Sequence, residues 1–98
     1  MKLNYLDLST SHIKEENSNH VLETQSTIFN DIGLFGYPYD SGSFISVGEI
    51  EETDIVHLFT TGFDDVAKIL RYCVDNQISL IRFDRDAEIM NEFKSYEW

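Results

Sequence analysis

Residues 63–83, FDDVAKILRYCVDNQISLIRF, carry the pattern that decides the fold. Phe63, Val66, Ala67, Leu70, Cys73 and Val74 recur at three- and four-residue spacing, so on a helix they form one apolar stripe. Asp64 and Asp65 fall in its first turn, where carboxylates suit the positive end of the helix dipole. Asn76 offers a left-handed stop. ISLIRF (78–83) then reads as a strand. A helix with one apolar face that hands over to a strand needs a sheet to lie on, and the rest of the chain should supply it.

Upstream, KLNYLDL (2–8) alternates at Leu3 and Tyr5 and, less cleanly, at Leu6 and Leu8, which reads as a first strand. STSH (9–12) supplies hydroxyls suited to a helix N-cap, and Glu15 and Glu16 follow. A helix is predicted from about Lys14 toward Asn30, with Val21, Leu22, Ile28, Phe29 and Ile32 on its apolar side and Gly33 at its end. LFGYPY (34–39), the turn DSG (40–42) and SFISV (43–47) read as a hairpin, and Pro38 argues for an edge strand. GEIEETD (48–54) reads as a solvated loop, and IVHLFTT (55–61) fits either a short strand or a helical turn. Beyond Phe83 an irregular tail offers Phe93, Tyr96 and Trp98 for packing.

The element order is therefore β-α-β-β-α-β. The expectation is a single α+β domain over residues 1–98 of the split βαβ, ferredoxin-like type, with two helices on one face of a four-stranded sheet. In that fold the last strand runs antiparallel to the first, so Asp7 and Asp84 should lie at opposite edges of the sheet.

Composition sets the class. With 98 residues, 42% of them hydrophobic and 13% aromatic, the chain holds enough apolar material for one modest core and too much for a disordered tail. No apolar stretch approaches the ~20 residues of a membrane helix, and the N-terminus lacks the apolar core of a signal peptide. Cys73 is the single cysteine, so no intrachain disulfide forms. Cytoplasmic residence is the expectation.

Charge is the most pronounced feature. The formal net charge is −11, and eleven acids lie between Glu15 and Ala67 without one lysine or arginine among them. The remainder of the chain is neutral, with seven acids and seven bases. Binding to DNA or RNA rests on cationic side chains that neutralise phosphates, so a direct nucleic-acid ligand is disfavoured, and without a membrane-length apolar stretch no membrane partner is expected. Two readings of the charge are open: a device for solubility, or a surface for a basic protein partner.

Motifs for chemistry are sparse. LDLSTSH places Asp7, Ser9, Thr10, Ser11 and His12 at a strand end, but a nucleophile with its base needs a geometry that sequence neighbours seldom meet, and helix capping with a surface histidine explains the same residues. Asp84, Asp86 and Glu88 in FDRDAE suggest a cation site, yet a calcium loop would want glycine where Ile89 stands and glutamate where Ser95 stands. A magnesium pair, or a capping role or salt bridges with Arg82 and Arg85, remains open there. Cys73 on the apolar stripe reads as an inert buried thiol. No phosphate-binding glycine loop and no paired cysteines occur, so no cofactor and no metal are expected.

The segments LSTSHI (8–13), YPYDSGSF (37–44), DDVAKILRYC (64–73), IRFDRDA (81–87) and the closing YEW (96–98) resemble, in that order, a bacterial family of small domains of unknown function. The resemblance fades between Asn17 and Phe35, and segment 49–61 is longer than is usual there. It implies a setting of plasmids, integrated elements and phages, and no site carries over from it. Small acidic proteins in that setting are often inhibitors of host defence. The expectation is a non-enzymatic acidic inhibitor, of anti-CRISPR or anti-restriction type, that binds a basic nucleic-acid-binding surface as a DNA mimic. Its expected contacts are Asp40, Glu49, Glu51, Glu52, Asp54, Asp64 and Asp65. The alternatives are an immunity protein for a nuclease toxin, or a small enzyme using Asp7 and His12 or Asp84 and Asp86.

Overall fold

Strand β4 (Leu80–Asp84) is the axis of the sheet in this computed structural model, which describes residues 5–18, 35–47 and 50–97. It pairs in parallel with β1 (Tyr5–Ser9) on one side and antiparallel with β3 (Gly42–Ser46) on the other, and β2 (Phe35–Tyr39) closes the far edge. The strand order is β1-β4-β3-β2. The fold is α+β, with a mixed, open four-stranded sheet and, among the described residues, three α-helices.

The ferredoxin-like expectation needs correction at this point. That topology would place β1 inside the sheet and run β4 antiparallel to it. Here β1 is an edge and β4 runs parallel beside it. Packing accounts for the exchange. β4 takes a neighbour on each side, since Gly42 lets β3 close onto its Phe83 carbonyl and its Arg82 reaches Asp7 of β1.

The hairpin agrees with its sequence. Asp40 and Ser41 form the turn, and Pro38 stands on the edge strand, where its missing N–H costs no ladder bond. Gly42 is required by proximity, because a Cβ there would lie 1.8 Å from the Phe83 carbonyl oxygen on β4.

Alternation decides the two faces. Leu6 and Leu8 of β1, Ile45 of β3, and Ile81 and Phe83 of β4 are buried and join one apolar core with the helices. In β1 it is therefore Leu6 and Leu8 that face inward, while Tyr5 faces solvent.

The first helix, α1, is described over Glu15–Ser18. The rest of the helix expected toward Asn30, with Val21, Leu22, Ile28, Phe29, Ile32 and the Gly33 stop, lies outside the described residues. Helix α2 (Glu52–Thr60) occupies the segment that reads as loop and ambiguous run. Glu51 stands at its N-cap, and the Asp54 carboxylate accepts the Glu51 N–H at 3.2 Å. Ile55 and Leu58 are its buried side. Gly62, at φ +91°, turns the chain, and the Phe63 N–H closes on the Leu58 carbonyl at 2.9 Å.

Helix α3 (Asp64–Asp75) buries Val66, Ala67, Leu70 and Cys73 as its stripe predicts, and Ile69 as well, while Val74 is 46% exposed. Its stop differs by one residue from the expectation. Asn76 has φ −108°, and Gln77 takes the left-handed conformation at φ +57°. The Ile78 N–H reaches the Cys73 carbonyl at 2.8 Å and the Gln77 N–H reaches that of Val74 at 3.4 Å, which satisfies the last carbonyls before β4 begins.

Candidate functional site

The acidic residues expected to contact a partner fall into distinct structural situations. Asp40 is exposed at the hairpin turn. Glu49 lies outside the described residues. Glu51 and Glu52 are exposed at the start of α2, and half-buried Asp54 holds the capping bond. Glu52 also forms an ion pair with Arg71 of α3 at 2.5 Å.

Asp64 pairs with Lys14 at 2.6 Å, and that hydrogen-bonded ammonium holds its carboxyl below the usual carboxylate range. Asp65 is 4% exposed. Its two oxygens accept the Lys14 backbone N–H at 2.8 Å and the Asn17 side-chain amide at 2.9 Å. The same Asn17 nitrogen also lies 3.1 Å from the Gly62 carbonyl. Asp65 therefore ties α1 to α3 from within and presents nothing to a partner.

Lys14 precedes the acidic span in sequence and Arg71 follows it, yet both fold back onto it. Because Glu52 opens α2 and meets Arg71 well along α3, the two helices run back to back. Glu51, Glu52 and Asp54 thus mark one end of the helix pair, and Asp64 marks the other.

The polar residues of the sheet form a second cluster, on the face turned away from the helices. Asp7 and Asp84 lie on this face of neighbouring strands, in registers two residues apart, and not at opposite edges as the ferredoxin-like order required. Arg82 donates from Nε to Asp7 Oδ1 at 2.6 Å. The salt bridge weighed for Arg82 with Asp84 and Asp86 is made with Asp7 instead.

The Tyr39 hydroxyl lies 2.8 Å from Asp84 Oδ2 and 3.0 Å from the Phe83 carbonyl, and donates its one proton between them. Burial, and then this carboxylate, push the Tyr39 hydroxyl up to about 12. Asp84 Oδ1 accepts the Asp86 N–H at 2.8 Å; that bond first, and Tyr39 second, hold the Asp84 carboxyl below its ordinary value.

His12 is far from this cluster in function. It is 1% exposed, with Nδ1 2.9 Å from the Lys94 carbonyl and Nε2 accepting the Met90 N–H at 3.0 Å. The acceptor role of Nε2 places the proton of a neutral ring on Nδ1. Phe93 packs edge-on against the ring at 5.6 Å and against Tyr72 at 5.2 Å, and the Tyr96 N–H donates to the Ser11 carbonyl at 2.7 Å. STSH is thus neither a surface histidine nor a base beside Asp7. Ser9 caps the short turn at Thr10–His12 by accepting the Ser11 N–H at 3.2 Å, and His12 clamps the C-terminal segment onto the core.

Among the described residues no three histidine, cysteine, aspartate or glutamate side chains come together as a metal-ligand set. Likewise among the described residues, no helix is long and apolar enough to cross a membrane. Cys73 is buried, and desolvation pushes its thiol up to about 12, so it is protonated at neutral pH. It lines an apolar groove of about 400 Å³ with Val47, Ile50 and Ile78 among the other walls.

A family model for the C-terminal domain of DUF5983, a family of unknown function, matches residues 5–98. The chain belongs to this family. No curated protein and no solved structure matches it. The segments from LSTSHI to IRFDRDA lie within the matched DUF5983 region. In this DUF5983 domain they supply the His12 clamp, the hairpin, helix α3 and the central strand.

Proposed function

We propose that this DUF5983 domain is a non-enzymatic inhibitor, of anti-CRISPR or anti-restriction type, whose acidic surface occupies a basic, nucleic-acid-binding site on a protein of a defence complex. The carrying observation is the charge distribution: the whole net charge of −11 belongs to the span between Glu15 and Ala67. Within it Asp40, Glu51 and Glu52 are exposed, and the bases that form ion pairs with it among the described residues, Lys14 and Arg71, come from outside it. Asp65 is left out of the proposed surface because it is buried. An immunity protein against a basic nuclease would need the same surface.

The experiment is capture from host lysate on the immobilised domain, with salt and DNA as competitors. Asp40, Glu49 and Glu52 are reversed together to lysine, which leaves the capping residues Glu51 and Asp54 in place. Reversal of the exposed Glu88, Glu92 and Glu97 in the tail is the control. The expected result is a captured basic protein that DNA displaces, that salt releases, and that the first triple loses while the control retains it. Equal loss from both triples would reduce the effect to bulk charge, and no loss from the first would overturn the proposal.

A further inference from the structure

The sheet face opposite the helices presents aromatic rings to solvent. Tyr5 is 63% exposed, Tyr37 59% and Phe44 37%. Alternation and register put them on one side of the sheet, where Asp7, Arg82, Phe44 and Tyr37 follow one another straight across the four strands. Phe44 also stacks at a tilt on Tyr39, 5.2 Å between ring centroids. Phe44 and Tyr37 are neighbours in that row and Tyr5 lies two residues along β1 from Asp7 on the same face, and exposed rings gathered on one sheet face mark a contact surface more than singly scattered ones do. Carboxylates are interleaved with these rings: Asp7 lies in that row, already paired with Arg82, and Asp84, two positions further along its strand, accepts from Tyr39 and the Asp86 N–H, so each offers a partner its remaining lone pairs.

We propose that this face binds an arginine-bearing segment of a protein partner, the guanidinium groups stacking on Tyr5, Tyr37 and Phe44 and pairing with the neighbouring carboxylates. Charge selects the occupant. The face itself carries Asp7 and Asp84 against Arg82, a second copy would bring another chain of net charge −11 toward the first, and nucleic acid would bring phosphates against the two carboxylates. Arginine is favoured over lysine because its planar, weakly hydrated guanidinium stacks on aromatic rings, whereas the ammonium of lysine is strongly hydrated. This rests on the reading of the domain as a binder of basic protein surfaces, and adds a second, aromatic contact area to it.

The test uses the whole domain and two labelled peptides, nona-arginine and nona-lysine, titrated by fluorescence anisotropy at fixed salt. Tyr5 and Tyr37 are changed together to serine, with the melting temperature as a check on folding. Nona-arginine should weaken about tenfold and nona-lysine less than about twofold. The variant with Asp40, Glu49 and Glu52 reversed should weaken both peptides alike. Equal behaviour of the two peptides in the tyrosine variant, or no change in either, overturns the arginine-stacking face and leaves the acidic-inhibitor reading standing. Loss from the tyrosine variant with none from the acidic triple does the reverse. A dimer in sedimentation that dissolves on Tyr37→Ser would assign the face to a second copy. Binding of a single-stranded oligonucleotide that the same variant loses would assign it to bases. Either of those outcomes overturns the proposal.

Discussion

Asp64 and Asp65 are neighbours with the same side chain and opposite consequences. Asp64 holds Lys14 in an ion pair whose side chains are 25% and 35% exposed, and exposed pairs of this kind contribute about 0–1 kcal/mol. Asp65 is 4% exposed and accepts two hydrogen bonds that join α1 to α3. Asp65→Ala strips the Lys14 N–H of its acceptor and leaves Asn17 only the Gly62 carbonyl. Each donor left short in a buried place costs about 1–3 kcal/mol, so the loss should be about 3–5 kcal/mol. For a chain of this length the whole stability is on the order of 5–15 kcal/mol. The urea midpoint should therefore fall by roughly 2 M and the melting temperature by roughly 15 °C or more. Asp64→Ala should move the melting temperature by no more than a few degrees. Asp65→Asn keeps one acceptor oxygen and should fall between them. Urea and thermal unfolding followed by circular dichroism measure all three. An Asp65→Ala variant within about 1 kcal/mol of the parent, or an Asp64→Ala variant that costs more, would refute this account of the α1–α3 junction.

Two further predictions follow from groups whose roles are visible in the structure. His12→Ala removes the acceptor for the Met90 N–H, the contact with the Lys94 carbonyl and the ring beneath Phe93. The segment after Met90 should become the first site cut in limited proteolysis, with a loss of about 2–4 kcal/mol, and unchanged cleavage would contradict the clamp. Tyr39 ionises at about 12 in the folded chain against an ordinary value of 10.0, so its stabilising share is full below about pH 10 and is lost as pH rises through 12. Tyr39→Phe should delete the latest step of an ultraviolet tyrosine titration and flatten the alkaline loss of stability; a titration curve that keeps that step would be inconsistent with the Asp84 bond.

Helix α3 was legible because its stripe has a single period, and the hairpin because Pro38, Asp40 and Gly42 each have a local conformational meaning. Strand order was not legible. The string β-α-β-β-α-β is compatible with several pairings, and the choice rests on which strands close onto β4 from each side, which only packing decides. Helix α2 was hidden for a different reason. Its N-cap is Glu51, a poor advertisement beside serine, threonine, aspartate or asparagine, and the reciprocal partner is Asp54 where glutamate or glutamine is usual. A run of acids that begins a helix looks, residue by residue, like a solvated loop. The role of His12 could not be read from STSH at all, since its partners Met90 and Lys94 return from the other end of the chain.

This changes what the acidic span means. In sequence its carboxylates look interchangeable, and a charge-reversal experiment could draw on any of them. In the structure Asp65 is a buried tie and Asp54 a cap, whereas Asp64 and Glu52 form partly exposed ion pairs across helices that contribute little to stability. Reversing the tie or the cap would lower stability, and any loss of partner binding would follow without a contact having been tested. Asp40 and Glu52 are the better probes among the described residues because both are exposed and neither caps a helix, and Glu49 adds a third charge of the same acidic span. Charge of this kind also acts mainly on association rate and on the rejection of wrong partners, while residence time depends on a few desolvated anchors, commonly aromatic. A purely acidic surface would bind many basic proteins briefly. The exposed tyrosines on the open sheet face are the residues here that could turn attraction into selective retention, so the two surfaces should act in sequence: the acidic span governing arrival, and the aromatic face governing release. Salt should then slow association, and Tyr37→Ser should speed dissociation.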